Sequence, residues 1–242
     1  MIKFFRRIRQ NLLSEGKASK YFKYAIGEII LVVIGILIAL QINNWNEHRK
    51  LKVKADIYVN KIINDLKVDT LNINKLIEKT EEYSQNIDNY YEYFNSKDSL
   101  NISIEKLIDS INKLDIRFLK YFPVNKTFKD MESSGSSDLL LDTQRDFLIK
   151  LASNQLEFEI INESYLDIAV AENQKSQQHL GDTSSFYKKL KIENSKERQI
   201  QGLLHRHLYL NALKDLYFYV KVKGENINKL SLEATELLLN NN

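Results

Sequence analysis

Residues 24–42 read Tyr24-Ala-Ile-Gly-Glu-Ile-Ile-Leu-Val-Val-Ile-Gly-Ile-Leu-Ile-Ala-Leu-Gln-Ile42. Only Glu28 and Gln41 interrupt this run of 19 residues. A helix rises about 1.5 Å per residue, so roughly 20 mostly apolar residues cross the hydrocarbon core of a membrane. No other stretch of the 242 residues approaches this apolar length. The sequence therefore predicts one transmembrane helix, over 21–45.

The composition favours a few long helices. The chain holds one Pro and seven Gly, so turn signals are sparse, and Lys, Glu, Leu, Ile and Asn fill long stretches. It holds no Cys, which excludes a disulfide and a thiolate metal site. The net charge is +3, but residues 1–45 carry +5 and the other 197 residues carry −2. Because the basic character belongs to the N-terminal segment, we expect no nucleic-acid partner.

Residues 1–20 form a basic head that precedes the span. The apolar residues of this head recur at helical spacing: Phe4, Phe5, Ile8 and Leu12. This pattern predicts an amphipathic helix that binds an anionic membrane surface through Lys3, Arg6, Arg7 and Arg9. The alternative is a disordered basic tail that serves only as a topology signal.

The charges that flank the span predict its orientation. Seven Lys or Arg precede the span, and the nearest basic residues beyond it are four: Arg49, Lys50, Lys52 and Lys54. By the positive-inside rule the N-terminus lies in the cytoplasm and the rest of the chain outside. A cleaved signal peptide fits less well, because its apolar core is shorter, begins earlier and precedes a small-residue cleavage site. We therefore predict a retained single-pass anchor.

Several residues of the span are placed to contact a second helix or the membrane–water interface. Gly27, Gly35 and Ala39 share one helical face, and such small residues let helices approach closely, so we consider self-association. Glu28 is a carboxylate about one turn inside the span. It either extends to the cytoplasmic headgroups or contacts another membrane protein. Tyr24 and Trp45 are placed to anchor the two interfaces.

Residues 46–242 continue the helical period without a convincing strand. Apolar residues recur three, four or seven apart, with charges between them. This pattern predicts a long stalk helix over 46–94 that continues the span, and Gly224 is typical of the position just after a helix end. The further helices are predicted over 102–119, 143–178, 195–222 and 225–239. The predicted fold is all-α: a transmembrane helix continuing into an antiparallel extracytoplasmic helical bundle.

The sequence shows no residue pattern typical of a catalytic, metal-binding or phosphate-binding site. His205 and His207 lie two apart, about 200° around a helix, so they cannot bind one metal ion from the same face. His207 falls on the apolar stripe and is expected to be a satisfied core residue. No glutamate precedes any histidine by three residues, and no Gly-rich phosphate loop or nucleophile elbow occurs. We therefore expect no catalytic residue, no metal and no cofactor.

Two segments resemble a known family. Residues 2–46 include the Gly27-Glu28 step and the exit Gln41-Ile-Asn-Asn-Trp-Asn46, and a second block reads Thr127-Phe-Lys-Asp-Met-Glu-Ser-Ser-Gly135. They resemble an uncharacterised single-span membrane protein family, a domain of unknown function widespread in Bacteroidota and especially flavobacteria. The resemblance implies an inner-membrane anchor with a periplasmic helical domain. It implies no activity.

Two functions follow as hypotheses. The first is a non-enzymatic inner-membrane protein whose periplasmic bundle binds a protein or envelope partner, or forms a homo-oligomer. The second is a ligand-sensing bundle that signals through a partner, since no cytoplasmic output domain is recognisable. Hydrolase or transferase activity has no positive support in the sequence.

Overall fold

The described part of the chain is helical apart from its connections. The structure, a computed structural model, describes residues 18–96, 103–180 and 195–240. In chain order it has α1 (Ala18–Asn95), α2 (Ile104–Asn112), α3 (Lys126–Ser133), a 3₁₀ helix (Ser136–Leu139), α4 (Asp142–Leu180) and α5 (Lys196–Asn240). These three ranges contain no strand, and the predicted all-α class is confirmed for them.

Helix α1 is continuous from the apolar stretch to Asn95. The chain divides into two compact units, Met1–Asp56 and Ile57–Asn242, with the boundary inside α1. In the described chain, α1 is the one helix long and apolar enough to cross a membrane, judged by length and composition. Residues 29–45 of the first unit are exposed throughout.

The second unit has its hydrophobic core between three long helical segments. Each contributes side chains with no more than 2 % exposure, among them Ile73 and Ile87 of α1, Leu151 and Phe158 of α4, and Leu213 and Leu216 of α5. Polar pairs between α1 and α5 have residue numbers that rise in one helix and fall in the other: Asn74–Asn228, Glu81–Lys221 and Asp88–Lys214. Pairs between α4 and α5 follow the same rule: Gln144–Leu237, Glu157–Lys223 and Glu172–His205.

Gly224 lies inside a helix and does not end one, so the predicted pair of helices over 195–222 and 225–239 is wrong. Helix α5 runs through this position from Lys196 to Asn240. A Cβ atom placed on Gly224 would lie 2.9 Å from Cγ2 of Ile73 and 3.1 Å from Cδ1 of Ile77. The glycine therefore lets α5 pack closely on α1 at this position, and it does not end a helix.

The helix predicted over 102–119 is also shorter than expected. Helix α2 covers only Ile104–Asn112, and residues 114–125 form an irregular connection. The buried side-chain amide of Asn162 in α4 forms hydrogen bonds with backbone groups of this connection. Its Oδ1 accepts the N–H of Tyr121 at 3.1 Å, and its Nδ2 donates to the carbonyl of Leu119 at 3.1 Å. The prediction over 143–178 agrees with α4 within two residues at each end.

Candidate functional site

The residues predicted to contact the membrane or a membrane partner lie on the first unit. Tyr24, Gly27, Gly35, Ala39 and Trp45 are exposed, and Glu28 is half-buried. A Cβ atom placed on either glycine would meet nothing within 4 Å. The small-residue face is thus open in the single chain, and the contacts predicted for it stay predictions. The basic set Lys3, Arg6, Arg7 and Arg9 lies outside the described residues.

Trp45 has a cationic neighbour one turn further along α1. The guanidinium carbon of Arg49 lies 5.9 Å from the centre of the Trp45 ring. An arginine over an indole face is attracted by about 0.5–1 kcal/mol at an exposed site. The pair combines an apolar ring with a charge, which is the composition expected at a membrane–water interface.

The second unit contains a fully buried carboxylate that is not among the predicted site residues. Asp69 of α1 is 0 % exposed. Its carboxylate accepts the N–H of Val124 at 2.9 Å, Nε2 of Gln155 at 2.7 Å and the hydroxyl of Tyr121 at 3.0 Å. We call these residues, together with Asn125, which donates to Oε1 of Gln155 at 2.8 Å, the Asp69 network.

The network holds the irregular connection against the core. Three groups donate to Asp69, so its charged form is stabilised by hydrogen bonds, while burial raises the pKa of Asp69 above its usual value. The Tyr121 ring also stacks on Phe158, with centroids 4.2 Å apart. Burial raises the pKa of the Tyr121 hydroxyl as well, which keeps it protonated as a donor. This arrangement can fix a chain segment.

The sequence did carry a signal for these buried polar residues. Asp69 lies between Leu66 and Ile73 on the apolar stripe of α1. Gln155 and Asn162 likewise occupy stripe positions of α4. A polar residue on a core stripe predicts a buried hydrogen bond, because an unpaired buried polar group is costly. The sequence could not reveal which partners these side chains would meet.

The histidines of α5 face different neighbours. Nδ1 of His205 lies 2.7 Å from a carboxylate oxygen of Glu172, and its ring stacks on that of His179 with centroids 5.8 Å apart. His207 has Nδ1 2.9 Å from the carbonyl of Leu203, which can only accept, so Nδ1 carries the proton. Its Nε2 lies 3.3 Å from the hydroxyl of Tyr90. Both ring nitrogens of His207 are thus satisfied inside an aromatic cluster.

No metal centre is formed by the described residues, which contain no suitable group of three His, Cys, Asp or Glu side chains. The second unit has an open groove of about 530 Å³ between α1 and α3 and another of about 390 Å³ between α1 and α5. The first of these has the larger volume. It is lined by Tyr58 and by seven further polar residues: Asn60, Lys61, Asn64, Asp65, Lys126, Thr127 and Asp130. The first unit does not contribute to this lining. We call this larger groove the α1–α3 groove.

The comparisons with known proteins give one match. The model of a family described as a family of unknown function (DUF6090) matches residues 28–199. The matched range includes Glu28, the Asp69 network and the α1–α3 groove. No curated protein and no solved structure matches the chain.

Proposed function

The chain belongs to the family of unknown function DUF6090, and we propose that it is a non-enzymatic single-pass protein of the bacterial inner membrane. In this proposal the N-terminus lies in the cytoplasm, and an antiparallel helical bundle on the periplasmic side binds a protein partner within an envelope complex. The domain of unknown function assigns no activity, so the proposal is based on physical features of the described residues.

One observation carries the anchor: the apolar side chains of 29–42 are exposed, several by more than half. Burying one such side chain is worth about 1.5–3 kcal/mol relative to leaving it in water. A run of this length is therefore stable only when lipid or another apolar surface covers it. A hydropathy of 2.6 over 18 residues and the absence of burial in that window support lipid as the cover.

The partner-binding role is supported by the structural roles of the polar clusters in the second unit and by the open small-residue face of the span. The Asp69 network holds a connection, and His207 has both ring nitrogens hydrogen-bonded within an aromatic cluster, so both have structural roles in this proposal. The open face of Gly27, Gly35 and Ala39, with Glu28 beside it, would accept a second helix inside the membrane. Lys3, Arg6, Arg7 and Arg9 would bind the anionic inner leaflet.

The anchor and its orientation are tested by cysteine labelling, which is clean because the chain has no native Cys. We would compare Ser14→Cys in the head with Glu132→Cys, an exposed position of α3. A membrane-impermeant maleimide should label only Glu132→Cys in cells with a permeable outer membrane. Labelling of Ser14→Cys alone would reverse the orientation, and recovery of the chain in the soluble fraction would overturn the anchor.

The partner is tested by mild-detergent co-purification from native membranes with crosslinking and mass spectrometry. We expect a reproducible second protein, and we expect Glu28→Gln to change its recovery without changing membrane insertion. Glu47→Gln is the matched control, since Glu47 is an exposed glutamate on the same helix that pairs with Lys50 at 3.0 Å. An unchanged complex in Glu28→Gln would remove Glu28 from the contact.

A ligand-sensing bundle is the second candidate, and the α1–α3 groove is the observation that favours it. Its volume lies within the range of about 300–1,000 Å³ that is usual for small-molecule sites. In this second candidate, the bundle would signal through a partner protein.

A further inference from the structure

The α1–α3 groove contains charges of both signs that do not pair with each other. Lys61 lines it from α1 and Lys126 from α3, and the carboxylates of Asp65 and Asp130 line the same space. Among the described residues, neither ammonium group forms an ion pair. The Nζ atom of Lys61 instead lies 5.9 Å from the centre of the Tyr58 ring.

The lack of pairing is partly explained by the order of charges on α3. Lys126 precedes Asp130 by four residues, and a base placed N-terminal to an acid is the less favourable order for such a pair, because it opposes the helix dipole. Two positive and two negative groups thus surround this space, and within the three described ranges none of the four forms an ion pair. A ligand that carries both charges would complete them.

Two mostly buried polar residues, Asp65 and Thr127, also line the groove. Asp65 is 6 % exposed and Thr127 is 8 % exposed. One carboxylate oxygen of Asp65, Oδ2, accepts the N–H of Thr127 at 2.9 Å. Both residues line the groove, where Oδ1 of Asp65 and the Thr127 hydroxyl are their remaining side-chain polar atoms. Neither atom is a fully buried atom that lacks a partner, so water in the groove can reach both, and a donor and an acceptor on a ligand could replace that water.

We propose that the α1–α3 groove binds a small zwitterion, in which a primary ammonium group lies a few bonds from an anionic oxygen group. Lys61 and Lys126 hold the anionic group close to the positive end of α3. Oδ1 of Asp65 and the carboxylate of Asp130 hold the ammonium group. The Thr127 hydroxyl forms a hydrogen bond with the nearest oxygen of the ligand. The inference does not depend on the anchor proposed above, since all these residues belong to the second unit.

Other ligand classes fit the groove less well. A simple anion would meet two carboxylates, and a simple cation would meet two ammonium groups. A divalent metal ion requires more oxygen or nitrogen ligands than these two carboxylates provide, and the described residues hold no group of three suitable side chains. The chemistry is shared by free amino acids and by the phosphoethanolamine headgroup of a lipid, and the experiment distinguishes these sources.

The test is isothermal titration calorimetry of the full chain in detergent. The probes are O-phosphoethanolamine and L-alanine, with inorganic phosphate and ethanolamine as the two half-ligands. We expect one zwitterion to bind at least tenfold more tightly than either half-ligand, because only the zwitterion satisfies both pairs of charges. Tighter binding of O-phosphoethanolamine indicates the lipid headgroup, to be checked with short-chain phosphatidylethanolamine against phosphatidylglycerol. Tighter binding of L-alanine indicates a free amino acid.

Variants connect the binding to the groove. Lys126→Gln and Asp130→Asn should each weaken binding of the preferred zwitterion at least tenfold, and Thr127→Val should weaken it as a third, nearly isosteric change. Lys129→Gln is the matched control, because Lys129 is exposed on α3 outside the groove lining. Circular dichroism confirms the fold of each variant. Equal binding of the half-ligands, or binding unchanged in both Lys126→Gln and Asp130→Asn, would overturn the proposal.

Discussion

Removal of the Asp69 carboxylate should release the irregular connection from the core. Asp69→Ala leaves the N–H of Val124, Nε2 of Gln155 and the hydroxyl of Tyr121 without their acceptor. Each buried donor left unpaired costs about 1–3 kcal/mol, which gives roughly 3–9 kcal/mol before compensation. The substitution also removes the cost of burying a charge, which offsets part of this loss. We therefore expect the free energy of unfolding to fall by about 3–5 kcal/mol.

A loss of this size is a large part of the stability of an ordinary domain, which is about 5–15 kcal/mol. The assay is hydrogen exchange of the full chain in detergent, read at the amides of Tyr121 and Val124. Local opening makes both amides exchange faster, by about tenfold for each 1.4 kcal/mol. Chemical denaturation of the same samples reports the global free energy of unfolding.

Asp167→Ala is the matched control, because Asp167 is an exposed aspartate of α4. An exposed substitution away from such networks changes stability by no more than about 0.5 kcal/mol. If the amides of Tyr121 and Val124 exchange at the same rate in Asp69→Ala as in the parent chain, Asp69 does not hold the connection and the reasoning is wrong.

Three further predictions concern the same unit. Burial raises the pKa of Asp69, so the fold binds that proton more tightly than the unfolded chain does. We therefore compare the free energy of unfolding of the parent chain with that of Asp69→Asn by denaturation at several pH values. The difference should rise as the pH falls from the raised pKa of folded Asp69 to the pKa of about 3.9 in the unfolded chain. Gly224→Ala should lower the melting temperature, because overpacking against Ile73 costs about 1–3 kcal/mol against a helix gain of about 1 kcal/mol. Gly35→Ala has the helix gain without the overpacking, because a Cβ atom there meets nothing within 4 Å, and it should not lower the melting temperature. Asn162→Ala should cost about 2–4 kcal/mol in denaturation, since the N–H of Tyr121 and the carbonyl of Leu119 lose their partner, and an unchanged midpoint would contradict this.

The sequence by itself determined the features that depend on local composition and period. A 19-residue apolar run is recognisable without its surroundings, because its length alone matches a membrane. The helices at 46–94 and 143–178 were equally visible, because an apolar residue every three or four positions is a property of one helix. The sequence also showed that His205 and His207 could not share a metal ion, because that follows from helical geometry alone.

Tertiary structure decided what single residues do inside those helices. Gly224 looks like a helix end in the sequence, but it is a packing position, because Ile73 lies 151 residues away in the chain and only 2.9 Å from the Cβ it lacks. Leu114 and Phe118 fit a helical period, yet the amide of Asn162 holds that segment as an irregular connection. Asp69 lies on the apolar stripe of α1, and its hydrogen-bond partners Val124 and Gln155 lie 55 and 86 residues further along the chain. Periodicity shows that a residue faces the core, but the donors it meets there come from distant segments that only the folded chain brings together.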